Sequence, residues 1–289
     1  MRPAPSLGYT RRGSGEPLVL LHGLGSSGQA WNPVIPLLAE RFDVIVIDLP
    51  GFGDSAPLAA DAEPHPAAIA AVVAMTLSSL GIGTPHVAGN SLGGWVALEL
   101  AAIMPVSSLT LLSPAGLWRD HTPRYCRISL RAHRALARFG RPMLRPLARS
   151  RAVRWVMFRQ VVGRPALMSA AEARQAITDL GGAPGFRATL RATLPRAYAA
   201  QGPIEAPVCV SFGTRDLVLL PRQSRHLGQL PVHTRVLPLP GTGHVPMTDD
   251  PVAVASLIGR TAHPRTGRQA ADDIAADRGD RLSPGRPRR

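Results

Sequence analysis

The chain has 289 residues, 45% of them apolar, with two cysteines and a formal net charge of +14. That length fits one large domain, or a domain with an insertion, and the apolar content suffices for a sizeable core. Two cysteines, Cys126 and Cys209, are too few for a disulfide framework, and no run of eighteen apolar residues offers a membrane span. The first seventeen residues contain no apolar leader, so the chain reads as a reduced, cytoplasmic protein. All 33 basic residues are arginine, as a GC-rich coding bias would give, but the bias does not explain where they sit. Residues 116–200 hold seventeen Arg and three acids, Asp120, Glu172 and Asp179, a surplus of fourteen; the remainder has sixteen of each.

In chain order, Pro17–His22 and Phe42–Leu49 read as buried strands, the second followed by the loop PGFGDS. Pro66–Leu80 reads as an Ala-rich helix, Pro85–Asn90 as a third strand, Leu92–Ile103 as a helix and Ser108–Leu112 as a fourth strand. Past Gly116 the pattern becomes Arg-rich helical segments broken by Pro and Gly. Strands return at Pro207–Gly213 and Thr234–Pro238, with helices over Pro221–Leu230 and Asp250–Arg260. This alternation predicts a largely parallel α/β sheet over residues 1–115 and 201–262, interrupted by a helical, Arg-rich insertion over 116–200. Residues 263–289 hold few large apolar groups and read as a disordered tail.

Between the third strand and the helix after it, Gly89-Asn90-Ser91-Leu92-Gly93 matches G-x-S-x-G. The pattern alone is weak, but a strand entering and a helix leaving is the context of a nucleophile elbow. Gly89 and Gly93 would let strand and helix approach closely, and the backbone N–H of Leu92 would face a developing oxyanion. A serine needs a base. Of nine histidines, His65, His121, His133, His226, His233 and His263 read as solvated, and His86 as exposed at a strand start. There is no H-E-x-x-H, so no metal site is expected. His244 lies in the Gly-rich loop LPGTGHVPM after the sixth strand, and Asp216 in the loop directly after the fifth. Both loops leave the carboxyl edge of the sheet, as Ser91 does, where open α/β sheets hold their sites. Asp120 is the alternative acid, and Asp249 and Asp250 read as caps of the last helix.

Four separated motifs, HGLGSSGQAW (His22–Trp31), DLPGFGDS (Asp48–Ser55), GNSLGGW (Gly89–Trp95) and GTRDLV with GTGHVPM, make the chain resemble the α/β-hydrolase superfamily, in its branch of small serine hydrolases. The resemblance implies an eight-stranded sheet flanked by helices, with the insertion as a helical lid. It implies a Ser91–His244–Asp216 triad and an oxyanion hole from the backbone N–H groups of Leu24 and Leu92. His22, Gly23, Gly25, Gly89 and Gly93 would be structural, as would Asp48 and Asp54, and no cofactor is required. A serine nucleophile departs from haloalkane dehalogenases and epoxide hydrolases, which attack through a carboxylate. GNSLGG and LLSPAGLW look similar to carbon–carbon hydrolases of ring-cleavage dienones, but those carry Trp after the catalytic His, where this chain has Val245. The expected substrate is a small acyl compound, an ester, lactone or thioester. A dienone, or a non-catalytic ligand-binding scaffold, is the alternative.

In the insertion, Arg124, Arg127, Arg131, Arg134 and Arg138 recur at helical spacing as one basic stripe. Ile128, Ala132, Ala135, Leu136 and Phe139 form the opposite face, expected to pack on the core or line a pocket, with Gly140 and Pro142 ending the helix. The stripe fits a solvated face, a lid attracting anionic substrates, or, less well, an amphipathic helix resting on anionic lipid. Nucleic acid is not expected, since few aromatics accompany the arginines. Trp118, Trp155, Met157 and Phe158 read as lid core, with lining of an acyl pocket as the alternative. Substrate identity and oligomeric state are not legible in the sequence.

Overall fold

A strand covered by helices on both faces has no polar face, so it reads as an unbroken apolar run. Phe42–Ile47, His86–Asn90, Ser108–Leu112 and Val208–Gly213 are buried along their whole lengths. In the computed structural model, which describes residues 7–264, they form the middle of one sheet. Its strands are β1 (Tyr9–Arg12), β2 (Glu16–Leu21), β3 (Phe42–Ile47), β4 (His86–Asn90), β5 (Ser108–Leu112), β6 (Val208–Gly213) and β7 (Arg235–Leu239), in the order β1-β3-β2-β4-β5-β6-β7. β1 pairs antiparallel with β3, and every other pair is parallel.

Seven strands among the described residues are one fewer than the resemblance implies. β1 escapes the sequence reading because all four residues of Tyr9-Thr10-Arg11-Arg12 are exposed at the sheet edge. No apolar alternation marks it; what holds it is the ladder to β3 and a guanidinium–carboxylate pair between Arg11 and Asp43. The tail reading for 263–289 falls almost wholly outside the described residues.

The helices are α1 (Ile35–Leu38), α2 (Pro66–Ser79), α3 (Leu92–Ala101), α4 (Arg124–Leu147), α5 (Arg151–Phe158), α6 (Ala170–Gly182), α7 (Phe186–Thr193), α8 (Pro221–Ser224), α9 (Pro246–Asp249) and α10 (Pro251–Ala262). Side chains alternate across a strand, so Val19 and Leu21 of β2 pack with α2 and α3 on one face, and Leu18 and Leu20 pack with α1 and α10 on the other. The helix expected over Pro221–Leu230 breaks after Ser224, because the His226 N–H leaves the helical pattern to bond the Leu117 carbonyl. No helix among the described residues is long and apolar enough to cross a membrane.

Between β5 and β6, α4 to α7 build a layer with its own small core of Leu144, Met157, Phe158, Val162, Met168 and Ile177. Two expectations fail here. α4 does not end at Gly140 or Pro142 but runs to Leu147, with Pro142 and Pro146 inside it. Each proline forfeits one helical hydrogen bond, and burial of Leu144 and Ala148 in the small core of this layer holds the chain helical past them. The face of α4 is also reversed. Ile128, Ala132, Ala135, Leu136 and Phe139 face outward, while Cys126, Arg134, Ala137 and Leu144 face in. The packing partner decides this: Gly181 of α6 has no side chain, so its backbone lies against that of Ala137. Arg134 then donates to the Leu180 and Ala183 carbonyls at the end of α6, where a helix presents unpaired acceptors. Arg154 does the same for Ala148 and Arg149 at the end of α4.

Candidate active site

β4 delivers Ser91 and α3 carries the chain away. The turn between them is so tight that Ser91 adopts φ 55° and ψ −115°, a left-handed conformation that costs a non-glycine residue about 1–3 kcal/mol. The turn closes only because its neighbours lack side chains. A Cβ on Gly89 would sit 2.2 Å from the Gly93 carbonyl oxygen, and one on Gly93 would sit 2.2 Å from that of Leu21. The Ser91 N–H donates to the Leu112 carbonyl at 3.0 Å, fixing the turn to β5.

Asp216, in the turn after β6, is buried. Its Oδ1 accepts the N–H groups of Val218 and Leu219 at 2.8 and 2.9 Å. Its Oδ2 lies 2.9 Å from Nδ1 of the buried His244. Burial pushes the carboxyl pKa up, but the imidazole's charge and hydrogen bond and the two N–H groups outweigh it and hold the pKa below its ordinary 3.8. Among the described residues no hydrogen bond joins the Ser91 hydroxyl to His244, although both line one cavity. Such bonds are commonly long in unliganded sites and tighten with substrate.

His22 is wholly buried. Its Nε2 accepts the Leu49 N–H at 2.9 Å, so its Nδ1 carries the proton and donates to the Gly23 carbonyl at 2.8 Å. Burial lowers its pKa, keeping the ring neutral. This steadies the Gly23-Leu24-Gly25 loop beside the elbow, where a Cβ on Gly23 would meet that of Ser91 at 3.2 Å. Gly25 has φ +76° and lies under Leu180 of α6 and Phe186 of α7. Among the described residues the N–H groups of Leu24 and Leu92 have no hydrogen-bond partner, and both residues line the cavity. Asp48 accepts the Gly28 and Asp54 N–H groups, tying the two Gly-rich loops together.

The cavity holds about 400 Å³ and reaches from the elbow up under the inserted helical layer. Its walls are mostly aliphatic and aromatic, Trp118, Met157 and Phe158 among them, while Trp155 is turned outward. The carboxylates lining it are Glu172 and Asp179, and burial pushes the pKa of Asp179 up. None of the seventeen arginines of residues 116–200 lines it. Cys126 also lines it, but burial pushes its pKa to about 12, so it stays a thiol.

Several residues that position the site carry no sequence signal. The Asn90 amide donates to the carbonyls of Leu112 and His244, at 3.0 and 2.8 Å, joining the elbow to the histidine loop. Asp249 does not cap the last helix as expected; Asp250 does that alone. Asp249 instead accepts the N–H groups of Gly163, Arg164 and Gly243 at 2.7–2.8 Å, clamping Gly163 of the inserted layer against the loop that holds His244. Only the fold brings Gly163 and Gly243 within reach. Ser27 donates to Asp179 at 2.7 Å, a tie from the Gly-rich loop to α6.

Two histidines are not where the sequence reading puts them. His86 is buried, its ring against Ser108 and Glu16, because the start of a central strand is covered by Phe42 and His263. His133 is half-buried and lines the cavity. Glu16, His86 and His263 cluster at the amino edge of the sheet, the opposite end from Ser91.

The alpha/beta hydrolase family profile matches residues 18–257. An uncharacterised protein of Mycobacterium tuberculosis is 31% identical over 91% of this chain and 82% of its own length. A pimeloyl-[acyl-carrier protein] methyl ester esterase of Aeromonas hydrophila is 41% identical over a shorter stretch, 41% of this chain and 46% of its own. The crystal structure of a membrane phospholipase A described as a bacterial virulence factor superposes with a TM-score of 0.69 at 26% identity, covering 89% of this chain and 83% of the other. With Ser91 and His244 lining one cavity and Asp216 paired to the imidazole behind it, this match leads to one conclusion: the chain belongs to the alpha/beta hydrolase family.

Proposed function

We propose that the protein is a cofactor-independent serine hydrolase that cleaves an ester, lactone or thioester with an uncharged, largely apolar acyl group. Ser91 attacks the acyl carbon while His244 takes its proton. The N–H groups of Leu24 and Leu92 receive the oxyanion, and His244 returns the proton to the leaving group. Water, deprotonated by His244, then releases the acid and regenerates Ser91. Asp216 holds the imidazole with its Nδ1 protonated, leaving Nε2 free as the base.

The observation that carries this reading is the strained Ser91, open to the same cavity as the buried His244–Asp216 pair. The apolar walls support an uncharged acyl group, and so does the lining charge, which is acidic and not basic. The partial likeness to a methyl ester esterase supports an ester over a carbon–carbon bond, and so does Val245 in place of a tryptophan after the histidine.

Two measurements test the reading together: labelling by a fluorophosphonate, and hydrolysis of p-nitrophenyl esters of increasing acyl length. The wild type is expected to label and to turn over, and Ser91→Ala to do neither. Labelling or turnover retained in Ser91→Ala would overturn the reading. A wild type inert to both would leave the non-catalytic scaffold as the better account.

A further inference from the structure

An amphipathic helix in a water-soluble layer normally turns its apolar face inward. α4 does the opposite. Along its outward arc Ile128, Leu136, Phe139, Met143 and Leu147 are exposed, Phe139 at 76%, Ile128 at 61% and Met143 at 60%. The helix spans 24 residues, about 36 Å at 1.5 Å per residue, so these side chains form a ridge and not a scatter. Single exposed apolar residues need no explanation, whereas a contiguous patch marks an interaction surface.

Beside the ridge runs a row of charge. Arg124, Arg131, Arg138 and Arg145 are all exposed and fall at intervals of seven, which lines them up along one edge of the helix. No acidic residue lies between Asp120 and Glu172. The lid's arginines do not line the cavity, so their charge is not aimed at a substrate inside it. On the adjoining α5, held to α4 where His133 meets the Met157 carbonyl, Trp155 and Val156 are exposed as well, and the Arg159 guanidinium lies over the Trp155 ring.

We infer that the outer face of α4 is a docking surface for an anionic lipid bilayer, with the ridge entering the headgroup–acyl boundary and the arginine row meeting lipid phosphates. The combination carries this: apolar side chains give the depth, a parallel cationic row gives the charge match, and a tryptophan lies on the adjoining helix. A second copy docked symmetrically through the same helix fits worse, since it would set two arginine rows with no acid between Asp120 and Glu172 against each other. The inference does not rest on the hydrolase reading.

The full chain is sedimented with vesicles of phosphatidylglycerol and phosphatidylcholine, and with phosphatidylcholine alone. The informative variant is Ile128→Ser/Phe139→Ser/Met143→Ser, which alters exposed positions only and leaves the net charge untouched. Wild type is expected to bind the anionic vesicles and not the neutral ones. The serine variant should bind at least tenfold more weakly, and Arg131→Gln/Arg138→Gln should also lose binding. Turnover of soluble p-nitrophenyl esters is read in parallel and should not change in the serine variant, so a failure of docking is separable from a failure of catalysis. Equal binding by wild type and the serine variant would mean adsorption by net charge alone and would overturn the inference. So would absence of wild-type binding, or a wild-type dimer that the serine variant dissociates without any vesicle affinity.

Discussion

Asp216→Asn isolates what the buried carboxylate does. In the structure Oδ1 is held by two N–H donors, from Val218 and Leu219, and Oδ2 faces His244. An asparagine of the same shape must keep its oxygen on those two donors, because an amide NH₂ there would leave both unsatisfied. Its NH₂ then points at Nδ1 of His244 and forces that nitrogen to accept. The imidazole proton moves to Nε2, and the ring can no longer take a proton from Ser91. A wrong tautomer of this kind costs about 10⁴-fold in kcat, or about 5 kcal/mol at 1.36 kcal/mol per tenfold. The assay is p-nitrophenyl ester turnover near neutral pH, with cooperative unfolding checked beside it. The loss should fall on kcat and spare KM, since Asp216 does not line the cavity. A folded variant that loses less than about tenfold would refute the tautomer reasoning.

The same carboxylate makes a pH prediction. Its folded pKa lies below its ordinary 3.8, so the ionised form stabilises the fold above that value, and the contribution is lost as pH falls through the lower, folded value. The Tm advantage of wild type over Asp216→Asn should therefore stand at neutral pH and vanish in strong acid; an advantage independent of pH would refute it. Asp249→Ala removes the acceptor of three backbone N–H groups. The Gly243 donor is buried and the other two are part-buried, so at about 1–3 kcal/mol for an unsatisfied buried donor and less where water reaches it, the change should cost about 3 kcal/mol in denaturant unfolding and lower kcat through the adjacent His244 loop. A stability change under about 1 kcal/mol would show that the clamp is not needed.

The parts of this protein governed by local chemistry are legible in the chain. Buried parallel strands announce themselves as largely apolar runs, and the few polar residues on them, such as Asp43, His86 and Asn90, each find a hydrogen-bond partner. Gly89 and Gly93 bracket Ser91 because a Cβ at either position would sit 2.2 Å from a backbone carbonyl oxygen, and a steric demand of that kind leaves a mark at fixed spacing. Asp216 and His244 are readable because each follows a strand, and strand ends in one parallel sheet share an edge. Other features depend on distant partners. β1 has no pattern of its own and exists through its ladder to β3. Asp249 becomes a clamp only when Gly163 and Gly243 arrive from 86 and 6 residues away. The direction of α4 is the clearest case. Periodicity shows that the helix has an apolar stripe and a basic one, but not which arc its partner covers: the covered arc holds Cys126, Arg134, Ala137 and Leu144, and Arg124, Arg131 and Arg138 stay exposed beside the apolar stripe. The close approach of Gly181 and the free carbonyls at the end of α6 take in Arg134, and the apolar ridge is left outside.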